Sequence, residues 1–224
     1  MKKLYKKLQL QRLQKLKALG VQYIEPPKEF QEPPLTLPNS LKELAKIVQQ
    51  CHLCELSKTR TKVVFGEGNP NADIMFIGEA PGASEDATGR PFVGRAGELL
   101  TKMIENVLEI PRTQVYIANI LKCRPPNNRP PTPTEAFACK PYLLKQIEII
   151  QPKIIVALGS SAYHYLTNDN TPISKVRGHS IDFNGIKLVP TYHPSYLLRN
   201  PSAKKEAFAD LLQVKKLMQQ VIER

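Results

Sequence analysis

Nowhere in these 224 residues is there an apolar run long enough to cross a bilayer, a task that takes about 20 consecutive apolar residues. That shortage excludes a helical membrane span, and with hydrophobic residues at 42% of the chain a soluble globular protein is the expectation. The first twenty residues contain neither an acidic residue nor a serine. They also lack the apolar centre and small-residue cleavage site of a secretory signal, and the want of serine counts against an organellar transit peptide. Cysteine and histidine are scarce, four of each, and no segment of the chain repeats. Four cysteines with no secretory signal argue against structural disulfides.

Positive charge is what the chain has in excess. Lysine and arginine outnumber aspartate and glutamate by 12, a surplus suited to an anionic partner such as nucleic acid. Seven of these basic residues fall in MKKLYKKLQLQRLQKLKALG, at the start of the chain. Leu4, Leu8 and Leu16, with Leu13 and Leu19 nearby, set an apolar stripe beside a basic face, so an amphipathic helix is expected there. Five prolines between Pro26 and Pro38 follow it as a stiff linker. Residues 1–39 therefore read as an arm that touches DNA, a partner protein or a membrane surface, or stays solvated. Residues 40–224 read as one domain.

Within that domain, Ser40 and Glu43 in SLKE form a capping-box signature, and the helix they open would deliver Cys51 near its end. DIMFIG (73–78), VYIANIL (115–121), KIIVALG (153–159) and IKLVP (186–190) read as four buried strands. Helices are expected at about 94–108, from Thr132 and Glu135 to about 150, over SSAYHYL, and from about Ser202 to the end. Strand and helix alternate four times, so the expected fold class is α/β with a parallel sheet covered on both faces. In such sheets ligands bind beyond the carboxyl ends of the strands. GEAPGASED, Asn119 and His193-Pro194-Ser195 would all lie on that rim, whereas the third strand ends in a plain Gly-Ser-Ser.

The cysteines form a C-x-x-C pair, Cys51 and Cys54, and a wider pair, Cys123 and Cys139. Four thiolates bind zinc or an iron-sulfur cluster. The wide second spacing weakens zinc, which usually takes a second close pair. Four unligated buried cysteines are the plainer alternative. A metal here would be structural, clipping the segment before the first strand to the loop after the second.

Taken together, FIGEAPGASEDATGRPFVGRAGELL, ANILKCRPPNNRPP and TYHPSYLLR, with the four cysteines in that order, resemble the iron-sulfur uracil-DNA glycosylases of family four. The resemblance covers about residues 41–219. It implies a three-layer α/β/α domain with a central four-stranded parallel sheet, and a 4Fe-4S cluster on Cys51, Cys54, Cys123 and Cys139. It also implies removal of uracil from single- or double-stranded DNA by a cytoplasmic, DNA-associated monomer. A base in a duplex must be flipped out to be reached. By the resemblance, Phe92 stacks on the flipped base, Asn119 reads its edge and His193 stabilises charge on uracil O2. Backbone groups of the turn around Gly78 and Ala80 hold the base as well. Glu79, then Glu85, are the candidates for orienting water; Asp86 is as readily a surface charge. Pro194 and Ser195 would approach a phosphate, Leu197 or Leu198 would wedge into the vacated stack, and Arg199 would grip the backbone or the orphan partner. Lys122, Arg124 and Arg129 would add phosphate contacts. Two rivals remain: a non-catalytic metal-stabilised DNA-binding module of the same fold, and a form that captures uracil DNA covalently, which the histidine-free CRPPNNRPP loop disfavours.

Overall fold

The computed structural model describes residues 37–221, together with Lys17, Ala18 and Gly20. The amphipathic helix and proline linker expected in the arm lie outside the described residues. The chain divides at Thr36 and Leu37, and the fold below is that of the second unit.

Four apolar segments form the expected parallel strands: β2 (Ile74–Gly78), β3 (Tyr116–Asn119), β4 (Ile154–Leu158) and β6 (Ile186–Thr191). Every residue of β2, β3 and β4 is buried, which is why they read as continuous apolar runs instead of alternating ones. The sheet is wider than four strands. β1 (Glu67–Gly68) and β5 (Ile181–Phe183) extend it, giving the order β1-β3-β2-β4-β6-β5, and both edge strands run antiparallel to their neighbours. They are two and three residues long and not buried, so they carry no apolar run to find. β5 did leave a signal: Asn184 and Gly185 both have positive φ, the conformation that an Asn-Gly hairpin turn demands.

Side chains alternate across the sheet and bury two separate faces. Met75, Ile77, Ile155, Ala157 and Leu188 pack with helices α1 (Leu41–Gln49), α4 (Pro133–Ile150) and α5 (Ser160–Thr167). Ile74, Phe76, Ile154, Val156 and Val189 pack with α3 (Arg95–Met103) and α8 (Lys204–Val221) on the other side. The result is the expected three layers. Two further helices, α2 (Ala83–Thr88) and α7 (Pro194–Arg199), lie on the loops after β2 and β6, and a short one, α6 (Ile173–Val176), precedes β5.

The helix starts follow their caps. Ser40 caps α1 through the Glu43 amide. In α4, Thr132 and Glu135 bond reciprocally, at 3.3 and 2.9 Å, with Pro133 at the first helical position. The helix expected at 94–108 begins after Gly94 but changes to a wider π turn at Ile104–Leu108. β2 lies between β3 and β4, so the chain turns to opposite sides of β2 and opens a crevice at the strand ends.

Candidate active site

A cleft of about 780 Å³ occupies that crevice. Its walls come from the loop after β2 (Glu79, Ala80, Glu85, Phe92), the end of β3 (Asn119), the turn after β4 (Gly159, Ser161) and the segment after β6 (Tyr192, His193, Arg199). The plain Gly-Ser-Ser thus belongs to the site as much as the unusual motifs do.

Asn119 is 2% exposed, and its Oδ1 is the one buried side-chain polar atom without a hydrogen-bond partner among the described residues. An unpaired buried acceptor costs about 1–3 kcal/mol, so its presence at a cleft wall points to a partner that arrives from outside. Gly78, beside it on β2, leaves the room. A Cβ there would stand 2.4 Å from Asn119 Oδ1 and 2.6 Å from Phe92 Cζ. Any side chain at Gly78 would push apart the amide and the ring.

Phe92 is buried and has φ +51°, a left-handed conformation that costs a bulky residue roughly 1–3 kcal/mol. Its neighbours impose it. Arg112 donates to the Pro91 carbonyl at 2.7 Å and to Thr101 Oγ1 at 3.0 Å. Glu85 lines the cleft, but its carboxylate accepts from the amides of Gly82 (3.1 Å), Val93 and Gly94 (both 2.9 Å). Glu85 therefore ties the two ends of the loop together. Asp86, which the sequence left as readily a surface charge, is buried and accepts from the Thr61 amide at 2.9 Å.

The His193 ring lies 5.7 Å from that of Phe92. Its Nδ1 accepts from the Ser195 amide at 3.1 Å and meets Ser195 Oγ at 2.8 Å. An amide can only donate, so Nδ1 is the bare nitrogen and Nε2 carries the proton. Burial, with the positive charge of Arg199, holds the imidazole down at about 4, against a smaller opposing pull from Glu85. The ring is therefore neutral at pH 7 with an N–H donor at Nε2. A stability test follows from the sign. Between its ordinary value of 6.5 and about 4 the unfolded chain takes up a proton at His193 that the folded chain refuses. Folded stability falls as pH drops through that window and loses nothing further from this residue below it. Urea unfolding at pH 7 and pH 4.5 should show a smaller loss for His193→Asn than for the wild type.

Glu79 accepts a short hydrogen bond from Ser161 Oγ. Tyr192 and Tyr196 stack at 4.9 Å on the cleft wall, with the Arg177 guanidinium 5.4 Å from the Tyr192 ring.

Of the residues expected at DNA, two are buried in the fold, Leu197 and Lys122. Leu197 is 1% exposed and packs in the core with Leu100 and Val189, so it cannot enter a base stack. Leu198 is half-buried and Arg199 exposed at the cleft. Pro194 is buried, and Ser195 turns toward His193. Lys122 is 1% exposed and bonds inward, out of reach of a phosphate. Arg129 pairs with both oxygens of Glu135, at 2.9 and 2.6 Å, and holds that carboxyl down at about 2. Arg124 donates to Asn128 at 2.8 Å.

No disulfide joins the four cysteines, which line one hollow together with Leu53, Arg60 and Tyr142. Arg60 donates to Cys123 Sγ and the Lys122 amide to Cys139 Sγ, each at 3.3 Å. Burial pushes the Cys139 thiol up to about 12 and raises that of Cys123. Among the described residues no group of three or more His, Cys, Asp or Glu is arranged to hold a single metal ion.

The strand ends of this α/β sheet thus gather a buried amide, a strained phenylalanine and a neutral histidine in one cleft. The chain belongs to the uracil DNA glycosylase superfamily, whose family profile matches residues 65–214. Within it the similarity runs to the type-4 members. A type-4 uracil-DNA glycosylase of Thermotoga maritima is 55% identical over 157 residues, 69% of this chain and 81% of that protein. That of Sulfurisphaera tokodaii is 47% identical over 187 residues, 80% of this chain and 85% of that protein. A type-5 uracil-DNA glycosylase of Pyrobaculum aerophilum is 31% identical over 146 residues, covering 58% and 64%.

Proposed function

We propose that this protein is a uracil-DNA glycosylase that hydrolyses the N-glycosidic bond of a flipped deoxyuridine and leaves an abasic site for repair. The observation that carries the reading is the orphaned Asn119 Oδ1 at the cleft wall. Uracil N3–H supplies the donor that this atom lacks, and the Asn119 amide group donates in turn to O4. Cytosine has no N3–H and carries an amino group in place of O4, so both contacts would fail. Phe92 stacks on the base, a contact worth roughly 1–3 kcal/mol, and the left-handed backbone fixes its ring beside Asn119.

As the glycosidic bond breaks, its electron pair leaves with uracil and charge collects at O2. His193 Nε2–H donates to that oxygen. A neutral donor suits the step, because it stabilises the anion without first giving the base a proton. Water adds to the cationic sugar carbon, and the proton it loses neutralises the uracil anion, which departs as free uracil. Glu79, with Ser161 bonded to one carboxylate oxygen, keeps the other to orient that water and offset the sugar's charge. Glu85 shapes the loop, and backbone groups at Gly78 and Ala80 complete the base pocket. Arg199 is the phosphate contact, Leu198 the residue that fills the vacated stack, and Pro194 and Ser195 set the His193 turn. Incubation with uracil-containing single- and double-stranded DNA should release free uracil; a folded protein that binds such DNA and releases none would favour the non-catalytic reading.

The four cysteines fit a 4Fe-4S cluster better than zinc. They share one hollow, as four ligands must, and Cys123 and Cys139 are spaced too widely for the second close pair that zinc usually takes. When bound, the cluster supplies a structural clip between the end of α1 and the loop after β3 and takes no part in the bond cleavage. Replacing Cys139 with serine should lower bound iron and visible absorbance and reduce the unfolding midpoint, checked by iron determination and thermal melting. We assign residues 1–39 to a separate basic arm that contacts DNA or a partner, ahead of a glycosylase domain at 40–224. No helix among the described residues is long and apolar enough to cross a membrane, and the DNA substrate sets where the protein works.

A further inference from the structure

We propose that Lys122 is a positioning residue that ties the base-reading Asn119 to the four-cysteine hollow, so that uracil recognition depends on the state of that hollow. The inference rests on the role given above to Asn119. Lys122 is 1% exposed, and it is a node between three parts of the fold. Its amide donates to Cys139 Sγ at 3.3 Å. Its ammonium donates to the Asn119 carbonyl at 3.0 Å and to Gln146 Oε1 at 2.6 Å. Its carbonyl accepts from the Val64 amide at 2.8 Å. Gln146 is anchored in turn, donating to the Phe65 carbonyl at 3.0 Å and meeting the Tyr116 hydroxyl at 3.2 Å. Cys139 and Gln146 are two turns apart on α4, and Lys122 links that helix to the end of β3.

A buried ammonium is expensive to keep. A methionine would fill the same length but would leave the Asn119 carbonyl and Gln146 Oε1 without donors. Lysine brings both donors at once. It also brings a positive charge beside Cys123 and Cys139, which as metal ligands would be thiolates. The same residue is therefore held at its backbone amide by Cys139 and at its ammonium by the residue that reads the base. A shift of the cysteine loop moves the Lys122 backbone and, through the ammonium, the carbonyl of Asn119. In the plainer alternative the lysine stabilises the fold without governing recognition.

The test uses the iron-loaded, full-length protein. Lys122→Met and Gln146→Leu are compared with the wild type by visible absorbance, by KM and kcat on uracil DNA, and by inhibition with free uracil. Lys122→Met keeps the amide that faces Cys139. The expected result is retained absorbance with KM and the uracil inhibition constant both raised at least tenfold, kcat changing less, and Gln146→Leu intermediate. Variants with wild-type KM and uracil inhibition would overturn the proposal while leaving the glycosylase reading intact. If neither variant folds, hydrogen exchange of the wild type before and after iron chelation decides. Amides of Ile120 and Leu121 should gain exchange relative to those of Leu188 and Val189, and free uracil should bind more weakly. No gain, or an equal gain in both segments, would overturn the link.

Discussion

Replacing His193 with alanine is expected to lower the turnover of uracil excision by about 10²–10³-fold while leaving affinity for uracil-containing DNA within a few-fold of the wild type. The size follows from its role as one preorganised donor to a developing oxyanion, worth about 2.7–4 kcal/mol. The selectivity for turnover follows from timing, since O2 carries little charge in the bound base and its full share only as the bond breaks. Geometry strengthens the case. Nδ1 is occupied by the Ser195 amide at 3.1 Å, so the donor must be Nε2. Burial, together with Arg199, keeps the ring neutral. Single-turnover rates with DNA binding measured in parallel check the prediction, and a variant with an unchanged chemical step would remove His193 from the mechanism. Asparagine at this position, which keeps a donor but on a shorter arm, should recover only part of the loss.

The second large effect is expected at Asn119, where function and stability should move in opposite directions. Asn119→Leu keeps the branched outline of the side chain but offers uracil neither donor nor acceptor. Two polar edges of the base would then be buried without partners, at about 1–3 kcal/mol each, and kcat/KM should fall by roughly 10²–10⁴-fold. The same substitution removes the buried acceptor that has no partner in the free protein. Stability should therefore hold or rise, because replacing an unsatisfied polar group with an apolar one of similar shape removes a desolvation penalty. Steady-state kinetics on uracil DNA and urea unfolding test the two halves separately. A leucine variant that is both active and less stable would show that the Asn119 side chain serves the fold. The substitution keeps the backbone carbonyl to which Lys122 donates.

Both sites also show how the reading of single residues shifts with context. His193 in isolation resembles any structural histidine, and Asn119 any residue that turns the chain at a strand end. What distinguishes them is convergence, which an order of motifs along a chain implies only if the sheet is parallel. The cleft that joins Glu79, Asn119, Ser161 and His193 draws on four strand ends that are far apart in sequence. Ser161 had no motif to announce it, and its bond to Glu79 exists only because β2 and β4 are neighbours. The leucine pair shows the opposite case. Leu197 and Leu198 are equivalent as letters, but the step of roughly 100° between successive helical residues sends Leu197 into the core and leaves Leu198 half-exposed. The loop after β3 misled in the same way, because a lysine in a basic, proline-rich stretch looks like a phosphate ligand until burial turns it inward.

By itself the sequence determined the α/β class, the four central strands, the capped helix starts and the rim on which the site would lie. Those features are local or periodic: apolar runs, capping residues and turn formers write their own signatures, and a parallel sheet then follows from alternation. Its resemblance to a known family supplied the candidate residues. Only the tertiary structure decided which of them face the cleft, that His193 is a neutral Nε2 donor, that Asn119 waits with an unpaired oxygen, and that Glu85 serves the loop. Only it showed the two short edge strands and the buried lysine bonded to both Cys139 and Asn119. Burial, tautomer and hydrogen-bond partner depend on neighbours brought from distant parts of the chain, and no spacing along the sequence records which neighbours those are.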